Sequence, residues 1–232
     1  MKTYIDCIPC FYRQAIESSR IAGLSEVKIK KVIDKIGGTI ADIGLGMTPP
    51  EMGAIFQKII QDVSGNRDLY KDAKDKSNRL AFDLYDKVKK KVRASKDKLL
   101  TAIESAIAGN IIDFGVKNSL NVEKELEKIM SEENKMIKNE NKIFFAYDDF
   151  KNKLERSKKI IYLADNCGET VFDRVLIEEI QNLYPSVEVI YSVKEKPILN
   201  DALLEDAVFC GIDKICKTVS TGSVIPGTVL KL

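Results

Sequence analysis

Apolar residues recur every three or four positions through roughly the first two thirds of the chain, then give way to short β-branched runs from Lys159 onward. Ile8, Phe11, Tyr12, Ala15 and Ile16 predict one buried face of a helix that reaches Ala22, with Gly23 as its C-cap. Ser25-Glu-Val-Lys opens a second helix toward Ile43. Thr48-Pro-Pro-Glu51 opens a third, with a cap residue, prolines for the first turn and an acid near the positive helix end. A long charged helix follows from Asp68 to Val92, and another from Lys96 to Ala108 that runs into Gly109-Asn110. Asn121-Val-Glu-Lys opens one more, ending near Ser131, while Ile143-Phe-Phe-Ala146 reads equally as a short strand or a helical connection.

From Lys159 the pattern is βαβα. Ile160-Ile-Tyr-Leu-Ala164 reads as a buried parallel strand, Thr170 to Leu183 as the helix crossing back, and Val187 to Val193 as the second strand. Asp201 to Cys210 reads as another helix and Lys214 to Val219 as a third strand. A right-handed crossover makes the first two strands parallel neighbours. The fold class is therefore α/β, with a helical domain over residues 1–157 and an α/β domain over 158–232.

Composition is informative chiefly through what is missing. The chain of 232 residues has no histidine, so Ser-His-Asp, Cys-His and His-zinc chemistries are excluded. Charge is nearly balanced, 37 basic against 35 acidic residues, which gives no reason to expect nucleic acid or an anionic membrane. No run approaches the ~18 apolar residues of a membrane span, and the N-terminus lacks a secretory apolar core; a cytoplasmic location is the default expectation. Abundant Lys and Glu without Trp lean toward a thermophile.

The candidate chemistry sits where the first strand stops. Asp165-Asn-Cys-Gly-Glu169 falls in the βα turn at the carboxyl end of that strand, where open α/β sheets bind ligands. Asn200-Asp201 follows the second strand and is expected at the same rim. Two carboxylates and a carboxamide favour a hard divalent ion such as Mg²⁺ or Mn²⁺, and such an ion suits phosphate chemistry. Asp165 and Asn166 would also serve as ordinary helix caps, but Asn200-Asp201 in register favours the ligand role. Gly168 admits a close ligand, and the following helix N-terminus favours an anion. Lys194 and Lys196 are placed to neutralise phosphate, and Asn110 is a possible ligand-facing side chain at a helix end. Cys167 is too soft for the ion and is read as a bystander. Cys7-Ile-Pro-Cys10 is a lone CxxC without the second half of a zinc site or the βαβ context of a thioredoxin. It reads as a structural or redox-sensitive pair at a helix start.

Taken in order, Asp6-Cys-Ile-Pro-Cys10, Gly46-Met-Thr-Pro-Pro-Glu51, Gly109-Asn-Ile-Ile-Asp-Phe114, Asp165-Asn-Cys-Gly-Glu169 with Asp173, and Lys196-Pro-Ile-Leu-Asn-Asp201 resemble the damage-control phosphatase family, in its CxxC-containing branch. The resemblance implies a helical N-terminal bundle packed on a Rossmann-like, three-layer parallel-sheet core. It implies a phosphatase dependent on Mn²⁺, Ni²⁺ or Co²⁺, with Asp165, Asn166 and Asp201 as ligands and Glu169 as a substrate-side acid. Asp165, Glu169 and Asp201 would be the catalytic set, and Asn110, Lys196 and Asn200 would face the substrate. Small phosphorylated metabolites are the implied substrates: sugar phosphates, phosphopantetheine compounds or damaged nucleotides, with oxidised purine nucleotides for the CxxC branch. The family pattern continues beyond Ile225-Pro-Gly227 with strands and a lysine-bearing phosphate loop that this chain, ending at Leu232, is expected to lack. The alternatives are a carboxyl methyltransferase using S-adenosylmethionine, for which no glycine-rich loop is visible, and a non-catalytic binding protein.

Overall fold

The computed structural model describes residues 2–110 and 146–227. The helix expected over Asn121–Ser131, most of the run Ile143–Ala146 and the segment Ile111–Phe114 lie outside those residues. By their internal contacts the described residues form two compact units. One comprises residues 2–72, 194–201 and 222–227, the other 73–110, 146–193 and 202–221. The last helix before the sheet ends at Arg156 and the first strand begins at Lys159.

The first unit is built on α1 (Cys7–Ile21), α2 (Glu26–Ile43) and α3 (Pro49–Ser64). Phe11, Ala15, Val32, Ile36, Met52, Phe56 and Ile60 form its core, with the Phe11 and Phe56 rings edge to face at 5.2 Å. Each of these side chains larger than alanine, removed from water, contributes about 1.5–3 kcal/mol. α3 starts as its sequence predicts: the Glu51 N–H donates to Thr48 Oγ1 at 3.4 Å and the Thr48 N–H donates to Glu51 Oε2 at 2.9 Å. That reciprocal box satisfies two of the orphan donors at the helix start. Of the polar positions left inside, Ser18 Oγ lies 2.7 Å from the Tyr70 hydroxyl and accepts from Gln57 Nε2 at 3.0 Å.

The second unit takes nearly all of α4 (Lys71–Ala94), then α5 (Lys98–Ala108), α6 (Tyr147–Arg156), β1 (Lys159–Leu163), α7 (Glu169–Leu183), β2 (Glu188–Val193), α8 (Leu204–Phe209) and β3 (Lys217–Ser220). The three strands form one parallel sheet in the order β1-β2-β3, with Ile161 opposite Ile190 and Tyr162 opposite Tyr191. The crossover through α7 makes β1 and β2 neighbours, as expected. Among the described residues, however, β1 is an edge strand whose burial alternates, leaving Ile161 and Leu163 65% and 55% exposed. The more buried strand is β2, where Val189, Tyr191, Ser192 and Val193 are all buried. An apolar run by itself cannot distinguish the centre of a sheet from its edge, and the neighbours decide.

The third helix-strand step starts later than the periodicity suggests. α8 begins at Leu204, because Asp206 Oδ2 accepts the Leu203 N–H at 2.9 Å and holds Leu203 extended. β3 begins at Lys217, after a 3₁₀ turn at Ile212–Lys214. Gly109 does close α5, but in right-handed backbone, so its small size answers another need. A Cβ there would lie 2.9 Å from Phe172 Cδ2 of α7, so the glycine permits close helix packing rather than a left-handed cap. No helix among the described residues is long and apolar enough to cross a membrane.

Candidate active site

β1 delivers the turn. Its ladder runs one residue past the strand, the Ala164 N–H donating to Ser192 O at 2.9 Å, and then the backbone leaves the sheet. Asp165 is the first residue outside it and is exposed; Asn166 and Glu169 are half-buried. The Asn166 side-chain amide donates to Glu169 Oε1 at 2.6 Å, which fixes both side chains across the first turn of α7. With its NH₂ committed to a carboxylate, the amide has its carbonyl oxygen left to meet a cation. Cys167 is fully buried, so its sulfur is directed inside the fold.

Asp201 ends the 194–201 segment of the first unit and is only 4% exposed. Lys194 Nζ lies 3.7 Å from Asp201 Oδ2 and also donates to Gly227 O. Between them, Leu199 adopts φ of 48°, a left-handed backbone that costs a branched aliphatic residue about 1–2 kcal/mol. Strain of this kind persists where the surroundings over-determine it, as they do at functional sites. Within the second unit, the Ala202 N–H donates to the main-chain oxygen of Asp165 at 2.8 Å. Asn200 is half-buried, Lys196 and Asn110 are exposed, Cys10 is exposed and Cys7 half-buried.

Among the described residues no three His, Cys, Asp or Glu side chains cluster as a ready metal cage. A cation held at this turn would need the Asn166 carboxamide beside the carboxylates, and such oxygen-only donors would suit a hard or borderline divalent ion. An apolar cavity of about 510 Å³ runs along β1 between Ile103, Tyr147, Phe150, Ile161 and Ile180, but it offers no carboxylate and does not provide the chemistry.

One arrangement goes beyond what the motifs convey. Asp173, one turn of α7 after Glu169, is 6% exposed and accepts two phenols, Tyr162 at 2.5 Å on Oδ1 and Tyr191 at 2.7 Å on Oδ2. Burial pushes its carboxyl up to about 6; the tyrosines pull the other way, and the charge of Asp165 adds to the rise. Tyr162 and Tyr191 are themselves pushed well above their ordinary value, first by burial and then by Asp173, so both remain donors. The signal was present as two tyrosines at matching strand positions, but only the register of β1 on β2 makes them one pair. A second buried network is equally silent in the sequence. Lys74, 1% exposed on α4, lies 3.6 Å from Asp206 Oδ2, and Asn78 Nδ2 donates to Asp206 Oδ1 at 2.7 Å.

The family model of the damage-control phosphatase ARMT1-like domain matches residues 3–232. The chain belongs to the damage-control phosphatase family. It is 30% identical to a damage-control phosphatase of Pyrococcus horikoshii over 234 residues, covering 100% of this chain and 77% of that one. It is 36% identical to an uncharacterized protein of Methanocaldococcus jannaschii over 230 residues, covering 97% of this chain and 73% of that one. The crystal structure of a DUF89 family protein from P. horikoshii superposes with a TM-score of 0.81 at 28% identity, covering 98% of this chain and 76% of that chain. The mixed helical and parallel-sheet fold is thus that of the family, and phosphatase is its activity class.

Proposed function

We propose that this phosphatase is a metal-dependent phosphomonoesterase acting on small phosphorylated metabolites, with damaged nucleotides or sugar phosphates as the substrate class. Asp165, Asn166 and Asp201 would hold the ion, Mn²⁺ or Ni²⁺ before Co²⁺ or Mg²⁺. Bound there, the ion supplies charge neutralisation of phosphoryl oxygens and lowers the pKa of a water. The chain's own residues do the rest. Glu169, oriented by the Asn166 amide, receives the proton of the attacking water. Lys196, exposed, and the amino end of α7 offset phosphate charge. Asn110 and Asn200 contact the rest of the substrate.

The observation that carries this reading is the strand-end turn of Asp165, Asn166 and Glu169, with its Asn166–Glu169 bond, in a chain of this family. The test is hydrolysis of p-nitrophenyl phosphate and a panel of nucleotides and sugar phosphates with each metal added to chelated protein. Asp165→Ala is expected to lower the metal-stimulated rate by more than the ~100-fold that loss of a ligand's outer partner can reach. Activity that survives both chelation and Asp165→Ala would overturn the reading. Saturable adenosylmethionine binding without hydrolysis would replace it with the methyltransferase.

A further inference from the structure

The proposed phosphatase chemistry assigns no role to the CxxC pair, and its two cysteines belong to a different unit from the other three. Cys7 is the first residue of α1 and Cys10 lies in its first turn, within the first unit; Cys167, Cys210 and Cys216 belong to the second. All five are free thiols. They differ sharply in access. Cys167 and Cys210 are fully buried, and burial pushes the Cys210 thiol up to about 12 while Thr170 Oγ1 sits 2.8 Å from its sulfur. Cys216 is half-buried, and burial pushes it up to about 11. Cys10 alone is exposed, and Cys7 beside it is half-buried.

Helical geometry brings the two together. Residues three apart in a helix rise about 4.5 Å, which puts their Cα atoms inside the 4.4–6.8 Å window of a disulfide. Their Cβ atoms stand roughly 5–6 Å apart and must close to about 4 Å. The first turn can absorb that movement, because its N–H groups lie outside the helical ladder. The Cys7 N–H bonds back to Tyr4 O and the Ile8 N–H to Ile5 O, each at 3.0 Å, and Pro9 has no N–H to lose. A bond closed against residual helix geometry is held weakly enough to be reduced again.

We infer that Cys7 and Cys10 form a reversible dithiol–disulfide pair, a redox modification site distinct from the phosphatase chemistry. The oxidant class is a low-molecular-weight disulfide. The Cys10 thiolate attacks one of its sulfurs, forming a mixed disulfide and expelling one thiol. Cys7 then attacks the Cys10 sulfur and expels the second. The chain loses two electrons and two protons, and the oxidant takes them up and leaves as two thiols. This is a modification of a helical unit and not a thioredoxin activity, since no βαβ unit surrounds the pair.

The test uses the full chain, equilibrated with mixtures of oxidised and reduced glutathione, quenched with an alkylating reagent and read by intact mass and peptide mapping. Titratable thiols are expected to fall from the five of the sequence by two, with the loss of two hydrogens confined to the peptide carrying Cys7 and Cys10, and to return in excess reduced glutathione. Cys7→Ser is expected to retain a stable glutathione adduct on Cys10, for want of the resolving thiol, and Cys10→Ser to form no bond in this peptide. Persistence of all five thiols, a wild-type chain that keeps the adduct without closing, or a disulfide elsewhere would overturn the inference. None of these readouts depends on phosphatase activity.

Discussion

Asp173 and Glu178 stand five residues apart on the same helix, both largely buried, and they are driven in opposite directions. Asp173 is met by two neutral phenols; they satisfy its oxygens but bring no opposite charge, so burial wins and its carboxyl rises to about 6. Glu178, with 14% of its side chain exposed, also feels burial as an upward push. There, bonds from Lys89, Tyr85 and Arg174 overturn it, with Tyr85 at 2.8 Å and Arg174 Nε at 2.9 Å, and the carboxyl ends below its ordinary value. Hydrogen bonding alone is therefore not enough to keep a buried carboxylate comfortable; a cation is. Among the described residues, Asp173, one turn into α7, therefore has no opposite charge beside it, whereas Glu178 further along the helix sits in an ordinary ion-pair brace.

The largest effect that separates the two sites is a change of sign. A carboxyl raised from 3.8 to about 6 corresponds to a cost of up to about 3 kcal/mol at neutral pH. The folded chain holds this proton more tightly than the unfolded chain, so stability falls as pH rises from about 4 to about 6 and stays lower above. Asp173→Asn, which keeps the volume and can both accept from and donate to the phenols, should raise apo-protein stability by about 1–3 kcal/mol at pH 8. The gain should vanish below pH 4 in chemical denaturation. A lower midpoint at pH 8 would show that the two phenols fully compensate the charge. Comparable in size, Tyr191→Phe removes one of two phenol donors to a buried carboxylate and should cost about 1.5–3 kcal/mol at pH 8. The loss should shrink at pH 4, where the carboxyl is protonated.

Glu178→Gln tests the opposite site and should destabilise by about 1 kcal/mol. Because the folded carboxyl is lowered, the wild-type advantage is present above its unfolded value of 4.5 and is lost as pH falls through the lower folded one. An advantage that grows on acidification would contradict the ion-pair account. The smallest change calibrates the set: Lys30 and Asp34, exposed on α2 at 2.5 Å, should yield only about 0.3–0.5 kcal/mol on Lys30→Ala, and less in high salt. Thermal midpoints measured across pH and salt for these four variants rank them directly.

Much of the candidate site could be read before folding was known, because it is local. Asp165, Asn166 and Glu169 lie within five residues, and a strand end followed by a helix start suffices to place them in one turn. The α3 capping box was legible for the same reason. What escaped notice requires partners distant in the chain. Tyr162 looks like one more apolar position of a strand until its register sets it against Tyr191. Glu178 looks like a solvent-facing helix residue until α4 brings Lys89 and Tyr85 to it. Gly109 looks like a left-handed cap until Phe172 is seen to occupy the space of its Cβ.

Local grammar alone therefore determined the helical run, the βαβ succession, the acid-amide turn at Asp165 and the CxxC at a helix start, since periodicity and capping act over a few residues. Tertiary structure decided which strand is buried, which acids carry a cation and which do not, and which of five thiols meets solvent. Those outcomes depend on desolvation and on side chains far apart in sequence, and neither quantity exists until the chain has packed.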